Sequence, residues 1–164
     1  MQVRAALTKR LSVIATKDGF IYSQSPLLEP GYADINAGLK YNLYRDTCKG
    51  RLLSTGMTYE IPSGSNKSLQ GNGNGLFHFF TTGGTRIGER SHLISAVGLL
   101  EPADRNLENR MSYWSNHFDR RIGNRALYAF TEVNLYHYGS NGTAFPAPIQ
   151  GGDLFNLGSV GVDG

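Results

Sequence analysis

"ADINAGLKYNLYRD", residues 33–46, is the stretch whose reading decides the fold. Ala33, Ile35, Ala37, Leu39, Tyr41 and Leu43 are apolar or aromatic, while Asp34, Asn36, Gly38, Lys40, Asn42 and Tyr44 between them are mostly polar or small. Successive side chains of a strand point to opposite sides, so sustained alternation describes one long strand with an apolar face and a polar face.

The same texture recurs along the chain. Residues 1–8 alternate, and 11–17 continue with Leu11, Val13 and Ala15 after a tight connection at Lys9-Arg10. Segment 51–61 sets Leu53, Met57, Tyr59 and Ile61 against Ser54, Gly56, Thr58 and Glu60. Segment 126–138 sets Leu127, Ala129, Thr131, Val133 and Leu135 against Tyr128, Phe130, Glu132, Asn134 and Tyr136. "LFHFFTT" (76–82), "HLISAVGLL" (92–100) and "RMSYWSNHFD" (110–119) are strand-like with poorer alternation, and "DLFNLGSVGV" (153–162) is a weaker candidate. No stretch has the period of an amphipathic helix, and 21 Gly, 9 Tyr and 8 Phe in 164 residues suit strands and turns. The expectation is an all-β protein: one domain over 1–164, an antiparallel up-and-down meander of about eight or nine long strands.

The connections alternate in length. Lys9-Arg10, "DTCKG" (46–50) and "RRIGNR" (120–125) are short, and "GGTRIGER" (83–90) is of middle length. "DGFIYSQSPLLEPGY" (18–32), "PSGSNKSLQGNGNG" (62–75) and "GSNGTAFPAPIQGG" (139–152) are long, with "EPADRNLEN" (101–109) between these extremes. In a meander, odd connections lie at one end of the sheet and even ones at the other. One end therefore carries tight turns and the other large loops, which is the asymmetry of outer-membrane barrels. Strand length agrees, since a tilted membrane strand needs about 9–11 residues whereas soluble strands average about 5–6. Tyr41, Tyr44, Tyr59, Tyr128, Tyr136 and Tyr138 lie near strand ends, where interfacial aromatics belong. The alternative is a soluble, lipocalin-like barrel binding a small apolar ligand, in which the same apolar face points inward.

Composition permits either reading. The hydrophobic share is 40% and mean hydropathy is −0.31. A membrane barrel needs only alternate residues to be apolar, and no run approaches the length of a membrane-spanning helix. The net charge of +3 fits basic residues on a solvated surface and calls for no nucleic acid. A single cysteine, Cys48, excludes an internal disulfide framework and a multi-cysteine metal site. "MQVRAALTKRLSVIATK" lacks a secretory pattern, because Arg4 and Lys9-Arg10 interrupt its apolar stretches.

"IATKDGF", "ADINAGLKYNLYRD", "TYEIPSG", "QGNGNG" and "FTEVNLYHY" resemble a family of bacterial outer-membrane β-barrels regarded as transporters, similar to the MetA-pathway-of-phenol-degradation family. The resemblance covers most of the chain and rests on strand and turn texture. It implies a barrel of more than eight strands in the cell outer membrane, a signal peptide, and passage of small solutes, apolar or aromatic ones among them. The chain begins inside a strand and stops at Val162-Asp163-Gly164 without the terminal aromatic strand of such barrels, so it reads as a segment of a longer one whose signal peptide is missing.

Catalytic chemistry is thin, and the expectation is a non-enzymatic protein with no cofactor. His78, His92, His117 and His137 lie on separate predicted strands with no metal-ligand spacing, so no metal site is expected. "GNGNG" (71–75) precedes a strand instead of the helix start that a phosphate-cradling loop requires. No G-x-S-x-G occurs, and nothing brings Glu60 and Glu132 together as a carboxylate pair. On the membrane reading the partners are outer-membrane lipid and a small-molecule solute. The lumen is then lined by Arg4, Asp34, Asn36, Lys40, Asn42, Ser54, Thr58, Glu60, Glu132 and Asn134, a mixed-sign conduit without strong selection for one ion sign. Lys9, Arg10, Arg45, Lys49, Arg51, Arg86, Arg90, Arg120, Arg121 and Arg125 gather at the short-turn end, where they make an electropositive mouth or serve solubility.

Overall fold

A computed structural model describes residues 2–17, 20–22, 31–64, 74–105, 109–123, 127–139, 153–156 and 160–163. Twelve strands follow in order: β1 (Gln2–Ala6), β2 (Leu11–Lys17), β3 (Phe20–Ile21), β4 (Gly31–Tyr32), β5 (Ile35–Asp46), β6 (Arg51–Ile61), β7 (Leu76–Ile87), β8 (Ser91–Pro102), β9 (Met111–Arg121), β10 (Tyr128–Tyr138), β11 (Asp153–Asn156) and β12 (Val160–Asp163). Ten of them join one sheet, and β3 pairs with β4 as a separate hairpin. Eight strands, β1, β2 and β5 to β10, form a continuous antiparallel meander without a crossover. β11 and β12 share the outer edge of β10, one beside Asn134–His137 and the other beside Tyr128–Thr131. The sheet is not closed: among the described residues no ladder joins β1 to β11 or β12.

β5 to β10 each run 11 or 12 residues. The β1–β2, β5–β6, β7–β8 and β9–β10 connections join strand ends at one end of the sheet, with tight turns at 7–10, 47–50 and 88–90, and the β2–β5, β6–β7 and β8–β9 connections join strand ends at the other. Gly50 and Gly88, at φ +60° and +65°, supply the left-handed backbone that two of these tight turns need.

Cross-strand register sorts the side chains into two faces. One row reads Lys40, Gly56, Phe80, Gly98, Tyr113 and Tyr136 across β5 to β10. The row beside it reads Gly38, Thr58, His78, Leu100, Met111 and Tyr138. The opposite face carries Leu39, Met57, Phe79 and Leu99 in one row, with Ala37, Tyr59 and Phe77 beside them. Among the described residues Ala33 is the one buried hydrophobic side chain, whereas Ser54 is fully buried and Thr58 only 7% exposed, both on the polar face. Leu39 (47%), Phe79 (42%), Val97 (48%) and Trp114 (49%) are exposed on the apolar face.

Four details differ from the sequence reading. A bulge between Asn42 and Tyr44 makes Leu43 an extra residue, so Tyr44 pairs with Leu53 and joins the apolar face instead of continuing the polar one. "GGTRI" belongs to β7, which continues to Ile87 because Gly83 and Gly84 pair with Ser95 and Ile94 in the ladder; the fifth connection is thus a tight turn. The long 18–32 connection holds the β3–β4 hairpin, closed by Phe20 against Tyr32 at 4.7 Å between ring centroids. The weak ninth candidate is two short strands, β11 and β12, in place of one.

Candidate functional site

The polar face is concave. A cavity of about 370 Å³ is lined by Arg4 of β1, Ile14 and Thr16 of β2, Asn36 and Lys40 of β5, Thr58 of β6, His78, Phe80 and Thr82 of β7 and Tyr113 of β9. All of these side chains belong to one face by register, so strands several places apart converge on one space.

Glycines shape its floor. An added Cβ at Gly56 would strike the Phe80 ring, and one at Gly98 would strike the Tyr113 ring. Each ring therefore lies over a neighbouring strand at a point where that strand has no side chain, which lets the sheet bend inward. Leaning across Gly98, Tyr113 brings its hydroxyl 2.9 Å from His78 Nε2. The rings of His78 and Phe80 stand 5.2 Å apart, so this wall is continuous and aromatic. Tyr113→Phe should lower stability by about 0.5–1.5 kcal/mol through loss of the hydrogen bond. Denaturant titration checks this, and a parallel loss in a His78→Phe background would mean the bond contributes nothing.

The predicted lining residues fall in several places. Arg4, Asn36, Lys40 and Thr58 meet in the cavity. Asn42 and Ser54 lie on the same face toward the short turns, where the Ser54 hydroxyl donates to Asn42 Oδ1 at 2.9 Å. Glu60 sits beside Asn36 toward the long loops. Asn134 shares a row with Ser115 on the far side of the sheet. Asp34 lies at the mouth before β5, buried, and accepts the Gly64 N–H at 2.5 Å, which ties the start of the β6–β7 connection to β5. Glu60 and Glu132 lie on β6 and β10, with three strands between them.

A second polar group lies on β8 to β10. His92 Nδ1 is 2.7 Å from Asp119 Oδ1, and His117 Nδ1 is 2.9 Å from Glu132 Oε1. His117 Nε2 stands 3.6 Å from Asp119, and its ring stacks on Phe130 at 5.6 Å. His92–Asp119 and His117–Glu132 are cross-strand neighbours in the ladder. Among the described residues no group of three His, Cys, Asp or Glu side chains has an arrangement that would hold a metal ion.

The sequence reading missed His78, Phe80 and Tyr113 as cavity residues. The signal lies in the register, where glycine alternates with large side chains along the row Lys40, Gly56, Phe80, Gly98, Tyr113; no single strand displays it. Compared with protein-family models, curated proteins and solved structures, the chain has no match.

Proposed function

We propose that this sheet is the wall of an outer-membrane β-barrel, with its apolar face toward lipid and its concave polar face toward a water-filled lumen that passes small solutes. The observation that carries this reading is the inverted burial: polar Ser54 and Thr58 are enclosed, while the large apolar side chains are exposed on the outer face. In water that face would be a contiguous apolar patch far beyond what a monomer tolerates. Strands of 11 residues at about 3.3 Å each, tilted about 40°, reach roughly 28 Å, close to the ~30 Å hydrocarbon thickness.

Polar groups on the outer face support it further. Thr81 donates to the Thr55 hydroxyl at 3.1 Å, Thr55 donates to the Phe80 carbonyl at 3.0 Å, and the Trp114 indole N–H donates to Ser95 Oγ at 2.9 Å. Such internal satisfaction is what hydrocarbon demands, although Asn116 and Thr131 interrupt the band. A lipid-embedded sheet also requires both edges to be paired, so β1 and the β11–β12 edge meet each other or further strands in the assembled barrel. A lipocalin-like barrel would place the apolar face inside, and the curvature favours the opposite arrangement.

Orientation gives the test. Cys48 is exposed in the 47–50 turn, at the same end as 7–10 and 88–90. With short turns in the periplasm, a membrane-impermeant thiol reagent should miss Cys48 in intact cells and label it after outer-membrane permeabilisation. A Cys48→Ser variant carrying Ser63→Cys, at the long-loop end of β6, should label in intact cells. Recovery of either thiol in a soluble fraction would remove the membrane reading.

A further inference from the structure

Charge on the concave face is segregated in a way that points to a ligand. The carboxylates Asp119 and Glu132 lie on β9 and β10, each within hydrogen-bond reach of a histidine ring, His92 and His117. The cavity, by contrast, holds two cations, Arg4 and Lys40, close enough to repel each other. Among the described residues neither makes an ion pair. On β1, β2, β5, β6 and β7 the polar face carries one carboxylate away from the turns, Glu60, and it lies toward the long-loop end beside Asn36.

Two polar groups wait beside the cations. Thr58 is 7% exposed and its hydroxyl has no hydrogen-bond partner, and Asn36 Oδ1 is likewise buried without one. A buried polar atom left unpaired costs free energy that a bound group would recover. A hydroxyl donates or accepts, and an amide presents either its oxygen or its NH₂ by a half-turn, so both side chains can serve an anion. Phe80 and Ile14 supply apolar surface in the same cavity.

We infer that this cavity is a binding subsite for a small organic carboxylate, its head held by Arg4, Lys40 and the Thr58 hydroxyl and its apolar body against Phe80 and Ile14. The subsite names the solute class for the conduit proposed above and rests on that reading for its role in passage. Planar guanidinium groups bind carboxylates with two parallel hydrogen bonds, and an ammonium beside one adds a second charge-assisted contact.

The test is calorimetric titration of the protein in detergent micelles with benzoate, its neutral counterpart benzyl alcohol, and inorganic phosphate, circular dichroism confirming the fold of each variant. Benzoate should bind at least about tenfold more tightly than benzyl alcohol, and Arg4→Gln and Lys40→Gln should each weaken it about tenfold. Lys49→Gln, in the short turn, should leave binding unchanged. Equal affinity for benzoate and benzyl alcohol, wild-type affinity in both cavity variants, or no benzoate binding at all would overturn the subsite. Phosphate binding more tightly than benzoate would overturn the assignment of an organic body. Conductance of the same protein in planar bilayers is the separate readout: benzoate binding without conductance keeps the subsite and removes the conduit, and conductance without benzoate binding does the reverse.

Discussion

Leu39→Arg should abolish assembly into membranes, whereas Asn36→Arg, three residues away on the same strand, should assemble. Leu39 is 47% exposed on the apolar face between Val13 and Met57. In water, an exposed leucine replaced by arginine is close to neutral. Against the bilayer midplane the same change costs about 2–4 kcal/mol, a large part of the stability of a domain this size. Asn36 faces the cavity, where an added arginine lies beside Glu60 on the face away from the apolar row. Folding yield into lipid vesicles, read as protease-resistant protein, checks both. Equal yields would mean that Leu39 does not meet lipid.

The second large effect concerns Gly98. Glycine within a strand ordinarily costs about 0.5–1 kcal/mol, so Gly98→Val would stabilise a strand with free space above it. Here the added Cβ strikes the Tyr113 ring, which must leave its place over β8 and release His78. The expected outcome is a net loss of about 1–3 kcal/mol. In a Tyr113→Ala background the obstacle is gone, and the same substitution should become neutral or stabilising. A reversal of sign in this cycle, measured by denaturant unfolding, identifies Gly98 as the floor beneath Tyr113. A constant loss in both backgrounds would place the requirement for glycine in the backbone instead.

Much of the architecture is legible without coordinates because a strand's period is a property of the chain itself. Residues 51–61 alternate, and they form β6 with those bounds. The two faces of 126–138 hold as read, since Tyr128, Phe130, Glu132, Asn134 and Tyr136 pair in register with polar-face residues of β9. The tight-turn end follows from counting residues between alternating runs, and it is misjudged at 83–90, where two glycines that look like a turn sit within a ladder. The bulge at Leu43 is equally invisible, because one extra residue leaves the local pattern unchanged while moving every later side chain to the other face.

Which face is enclosed is a different kind of question. Alternation is symmetric between a barrel with a greasy interior and one with a greasy exterior, so the sequence by itself determined two faces and a meander, and no more than that. The direction of curvature breaks the symmetry, and curvature depends on contacts between strands. Gly56 and Gly98 receive Phe80 and Tyr113 from neighbouring strands, removing bulk from the polar side, where Arg4, Lys40, Thr58 and His78 line one cavity. Gly98 and Tyr113 become neighbours only through the β8–β9 register. Only the tertiary structure shows which face gathers its side chains around a cavity, because bending is set by the volumes of side chains that meet across strands and not by the order of residues along any one of them.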